Sequence, residues 1–139
     1  ARAHDGQGRV LAGGWHLYPE LAAAGLWSTP ADLARLVVAM GRAGRGAPAP
    51  VVGGAGLSTL LGSVDGLGYG LGIARAADGR AGFKRGNNAG FRSALLAAPD
   101  TGQGAVVMTN GDDGEAIVDA LLDALAVRFG WPVRAPWPE

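Results

Sequence analysis

Apolar positions along the chain follow two rhythms. Leu33, Leu36, Val37 and Met40 recur at the i, i+3, i+4, i+7 spacing that lines one face of a helix. The start of that helix is marked by Thr29 as N-cap, Pro30 at the first helical position and Asp32 at the third, its carboxylate near the positive helix end. Gly41 and Gly44 are expected to end it. Residues 44–56, rich in glycine, proline and alanine, read as a surface loop, and a short helix is expected over 57–61. The strongest helical pattern lies near the end of the chain. There Ile117, Val118, Leu121, Leu122, Leu125 and Phe129 share one apolar face, Asp112 and Asp113 stand near the start, and Gly130 and Pro132 follow the last turn.

Between these helices the period changes to two. Tyr69, Leu71 and Ile73 alternate with Gly70 and Gly72, which predicts a strand whose glycine face leaves room for a close neighbour. Asp78-Gly79 signals a hairpin leading into a strand over 81–86. Two more apolar strands, 91–98 and 105–110, are joined by the turn sequence Pro99-Asp100-Thr101-Gly102. The order predicts an α+β fold, an antiparallel meander with the C-terminal helix covering one sheet face. Residues 1–27 show no period and are expected to be irregular; 133–139 should form an extended tail, with Trp131 or Trp137 docking. No internal repeat is visible.

At 139 residues the chain fits one domain, able to bury about two thirds of its unfolded surface. A hydrophobic content of 48% with 17% charged residues argues against disorder, so the 25 glycines and 8 prolines imply many tight turns. Twelve basic residues balance twelve acidic ones and are spread along the chain, which offers nucleic acid no basic surface. No apolar run nears the ~20 residues of a membrane span. The lack of cysteine excludes disulfides and thiolate metal sites but leaves the compartment open. The chain opens at Ala1 without a charged-then-apolar leader, so its start reads as internal or processed.

The only lysine, Lys84, sits in Phe83-Lys84-Arg85-Gly86-Asn87-Asn88-Ala89-Gly90-Phe91-Arg92-Ser93. Taken locally, Lys84-Arg85 is a pair of solvated charges that discourages edge pairing, and Asn87-Asn88 are turn formers. Gly66, Gly68, Gly70 and Gly72 suggest a phosphate loop, but the alternation fits a strand better and no helix follows. His4 and His16 are too few for a zinc site. Ser28 reads as support for the helix cap, and its spacing from Asp32 and either histidine does not suggest a triad.

A strand carrying Lys84-Arg85-Gly86, followed by a Gly90-Phe91 turn into an apolar strand, resembles the third active-site motif of the serine β-lactamase-like hydrolases. That superfamily comprises class C β-lactamases, penicillin-binding proteins and related esterases. Three further segments resemble it in the same order: Ala24-Gly25-Leu26-Trp27-Ser28-Thr29-Pro30-Ala31-Asp32-Leu33, Gly68-Tyr69-Gly70-Leu71-Gly72 and Val106-Val107-Met108-Thr109-Asn110-Gly111. With Gly130-Trp131-Pro132 they cover most of residues 22–132.

The resemblance implies roles by position. Lys84 would hold an anionic substrate group or polarise proton transfer, and Gly86 would let substrate approach the strand edge. The backbone N–H of Asn87 would be one oxyanion-hole donor, with Asn88, Gly90 and Phe91 shaping the turn and the cleft wall. The family's nucleophile lies in Ser-x-x-Lys. Here Ser28, Ser58, Ser63 and Ser93 are followed three residues later by Ala31, Leu61, Gly66 and Leu96, and no Tyr-x-Asn follows from Tyr18 or Tyr69. Residues 1–139 are therefore expected to be the C-terminal portion of a single β-lactamase-like domain, inactive alone, whose missing N-terminal half packs on the sheet. The parent would cleave a small-molecule ester, peptide or β-lactam with no cofactor. Arg85 stands where many relatives carry threonine or serine, leaving no hydroxyl to seat a β-lactam carboxylate, so an esterase or peptidase-like parent stands beside a β-lactamase. The alternative is a noncatalytic binding or structural domain that kept the sheet.

Overall fold

The computed structural model describes residues 1–49, 51–62, 74–75 and 81–131. Its elements run α1 (Leu21–Ala24), α2 (Pro30–Gly44), α3 (Gly54–Leu61), β1 (Ala74–Arg75), β2 (Gly82–Asn88), β3 (Phe91–Ala98), β4 (Gln103–Thr109) and α4 (Gly114–Arg128). The four strands form one antiparallel sheet in the order β1-β2-β3-β4, so the α+β meander stands. The expected strand at 69–73, the Asp78-Gly79 hairpin and the tail 133–139 lie outside the described residues.

Helices cover both faces of the sheet. On one face Val118, Leu122 and Ala126 of α4 pack with Phe83, Ala94, Leu96, Ala98 and Trp131, so Trp131 does dock. On the other, Val37, Met40 and Ala43 of α2 and Leu57 of α3 pack with Leu95 and Ala97. Strand alternation separates the two sets: Leu96 points to α4 and Leu95 to α2.

Four expectations are corrected. Gly41 does not stop α2, which runs on to Gly44 and ends there as expected. A Cβ on Gly41 would lie 2.9 Å from Gly102 Cα, and one on Gly44 2.5 Å from Pro99 Cβ. These glycines let α2 approach the β3–β4 turn. The loop after α2 ends earlier than expected, because α3 begins at Gly54. Residues 1–27 are not wholly irregular, since α1 makes one turn and His4 bridges both Val10 and Gly111. Finally, α4 buries only part of the expected face: Val118 and Leu122 are buried and Leu125 packs against them, but Ile117, Leu121 and Phe129 are exposed, and Gly114 and Ala126 face inward instead. The helix carries apolar residues on two adjacent stripes, and the one containing small residues can come closer to the sheet.

Thr29 caps α2 as expected, its Oγ1 accepting from the Asp32 N–H at 3.1 Å. The strands differ from expectation only at their ends, β2 running on to Asn88 and β4 starting two residues early, at Gln103.

Candidate active site

β2 divides its side chains between the two layers. Phe83 pairs across with Leu96, and Lys84 with Leu95. Directly opposed residues share a face, so Phe83 and Arg85 turn toward α4 while Lys84 and Gly86 turn toward the α2 side. There Lys84 and Gly86 are exposed, as is Asn87 on the opposite face. β1 pairs only with Gly82 and Phe83. Among the described strands, then, the stretch from Lys84 to Asn88 is laddered on its β3 side alone.

The adjoining cation does something else. Arg85 is 8% exposed at its side chain and donates to Asp119 Oδ1 at 2.8 Å, with Glu115 at 3.5 Å. Its guanidinium also lies 5.4 Å from the Phe83 ring centroid. The local reading of Lys84-Arg85 as two solvated charges therefore holds for Lys84 alone; Arg85 fastens β2 to α4. Its size at this position does not crowd the Lys84 face.

A Cβ on Gly86 would lie 2.5 Å from Ser93 Oγ, which the serine relieves by rotating about χ1. The two-residue turn that follows, Ala89-Gly90, is anchored from three directions. Ala89 N–H donates to Tyr18 Oη at 2.8 Å, and Asn88 Nδ2 donates to the Ala24 carbonyl at 2.9 Å. Gly90 N–H donates to Asp112 Oδ1 at 2.8 Å. Gly90 has φ +74°, and any Cβ would strike Ala3. Arg92 completes the brace: its Nη1 donates to the Asn88 and Phe91 carbonyls at 2.7 and 2.9 Å, and its Nη2 pairs with Asp112 at 3.0 Å.

Of the residues expected from sequence, Lys84 and Gly86 share one exposed face, Asn87 adjoins them, and Asn88 and Phe91 lie at the turn end of the same hairpin. Tyr18, Trp27, Arg92 and Asp112 were not foreseen as parts of this region. Phe91 stacks edge-to-face on Trp27 at 5.6 Å. Tyr18 and Ala24 meet the turn across 71 and 64 residues of chain, with no local pattern to announce it. For Asp112 the sequence offered a helix-start role, whereas its carboxylate serves the β2–β3 turn instead.

The fold is α+β, an antiparallel sheet between helical layers. The chain belongs to the Beta-lactamase family, whose model matches residues 1–128. No match to a curated protein or to a solved structure was found. No helix among the described residues is long and apolar enough to cross a membrane.

Proposed function

We propose that the chain is the C-terminal portion of a serine hydrolase that cleaves an ester, amide or β-lactam by acyl transfer, and that it contributes the Lys84 strand. The observation that carries this is the exposed Lys84-x-Gly86-Asn87 edge in a Beta-lactamase family member. A serine from an upstream Ser-x-x-Lys attacks the substrate carbonyl, and its proton passes to that motif's lysine. The tetrahedral oxyanion is met by the serine's own N–H and by the N–H of Asn87. Lys84, on the cleft side of the strand, holds an anionic substrate group or stabilises the proton-transfer network. Collapse of the intermediate breaks the scissile bond and expels the alcohol or amine, which takes the proton back from that lysine; water then hydrolyses the acyl-enzyme.

The reading gives the missing half a place. β4 ends the described sheet and has no charged residue, an edge that invites another strand. Beside the sheet, α4 exposes Ile117 and Leu121, one turn apart, a patch suited to a further helix.

The test is hydrolysis of a chromogenic ester and a chromogenic β-lactam by the pure 139-residue chain. No turnover above buffer is expected, because no serine here has its lysine. Turnover that disappears in Lys84→Ala would overturn the assignment of the nucleophile to another segment.

A further inference from the structure

Ser93 of β3 stands opposite Gly86 in the ladder. Directly opposed residues share a face, so its side chain lies with Lys84 and Gly86 on the α2 side of the sheet. Its hydroxyl donates to the Gly86 carbonyl at 3.3 Å. That carbonyl is therefore turned toward β3. A trans peptide holds its C=O and N–H on opposite sides, so the N–H of the same peptide, which belongs to Asn87, points away from β3. β1 pairs only with Gly82 and Phe83, and among the described strands none pairs with Asn87 on that side. The hydroxyl and the proposed oxyanion donor thus sit at the two ends of one peptide unit.

Peptide polarity links those ends. When an oxyanion draws on the Asn87 N–H, electron density moves onto the Gly86 oxygen, and a hydroxyl bonded there strengthens the donor. At 3.3 Å the bond is long for a neutral hydroxyl. Bonds to an oxygen that gains negative charge are shorter, so it should contract as the reaction develops charge. Glycine at 86 leaves the hydroxyl this position, because a Cβ there would come within 2.5 Å of Ser93 Oγ and turn it away.

We infer that Ser93 is a positioning residue of the oxyanion hole, whose hydroxyl orients and polarises the Gly86–Asn87 peptide. The inference rests on the acyl-transfer reading above, but its first test requires no turnover.

Base-catalysed amide exchange probes the same polarity: hydroxide takes the N–H proton to form water and leaves the negative charge on the peptide oxygen. Exchange of the Asn87 amide with water is measured by NMR in the ¹⁵N-labelled full chain, in Ser93→Ala and in Ser93→Thr. The native amide should exchange freely. Ser93→Ala should slow it about three- to tenfold, the contribution of one hydrogen bond, and Ser93→Thr should keep the native rate within about twofold. A merely structural serine would leave an open amide unchanged, or speed its exchange by loosening the hairpin. If Ser93→Ala loses its dispersed spectrum, Ser93→Val against Ser93→Thr makes the comparison with two β-branched side chains of one shape. Strong protection of the native Asn87 amide, or exchange that is unchanged or faster without the hydroxyl, would overturn the role of Ser93. In a longer chain that brings the nucleophile, Ser93→Ala should lower kcat by the same factor and keep KM within about twofold. Hydrolysis insensitive to Ser93 would sink this inference alone, and slowed exchange in a longer chain that hydrolyses nothing would sink the acyl-transfer reading while the peptide geometry stands.

Discussion

Lys84 and Arg85 are neighbours with opposite fates, because a strand sends successive side chains to opposite faces. Arg85→Ala removes a 2.8 Å bond to Asp119, the Glu115 pairing and the contact with the Phe83 ring. Both carboxylates are 39–46% exposed and regain water, so the expected loss is about 2 kcal/mol rather than that of a stranded buried charge. Lys84→Ala, at an exposed position, should change stability by less than about 0.5 kcal/mol. Urea unfolding of the two variants checks this, and equal midpoints would refute the division of roles. A different residue controls acid behaviour in the first loop. Asp5 accepts the Arg9 and Gln7 backbone N–H groups and pairs with the Arg9 guanidinium, and the Arg9 backbone bond, first among these, holds its carboxyl below the ordinary 3.8. A lowered pKa means that the loop's ordering is present above 3.8 and is lost as pH falls below it. The Arg9 amide signal should therefore move as pH falls below 3.8 in the parent and not in Asp5→Asn.

Gly44, the last residue of α2, shows that a glycine's worth depends on what packs against it. Alanine normally stabilises a helix interior by about 1 kcal/mol over glycine. At Gly44 the new Cβ would also sit 2.8 Å from the Pro99 carbonyl carbon and oxygen, which are backbone atoms. The clash should win, and Gly44→Ala should destabilise by about 1–3 kcal/mol; a raised Tm would show that α2 can move away from the turn. Much of the element order was legible because its signals are local. Thr29-Pro30-Ala31-Asp32 opens α2, and alternation closed by Pro99-Asp100 bounds β3 at 91–98. The working face of α4 was only half legible: Val118, Leu122 and Leu125 pack on the sheet as read, while Ile117, Leu121 and Phe129 do not, because two apolar stripes compete and only contact with the sheet chooses between them. At the site, Lys84, Gly86 and Asn87 stand out within a short motif. The anchors Tyr18, Ala24 and Asp112 reach the turn from other parts of the chain, which one-dimensional spacing does not record.

The whole molecule has a sheet with α4 on one face and α2 with α3 on the other, yet β2 keeps Lys84 and Gly86 exposed beside α2. An uncharged β4 edge and an apolar patch on α4 adjoin the packed layers. Both features suit a domain completed by another segment that brings the nucleophile. The rival, a noncatalytic domain, would need neither surface covered. The most direct measurement is the coding sequence immediately upstream of the codon for Ala1. An in-frame Ser-x-x-Lys followed by Tyr-x-Asn is expected. A start codon at that boundary, or a long open frame lacking both motifs, would contradict it.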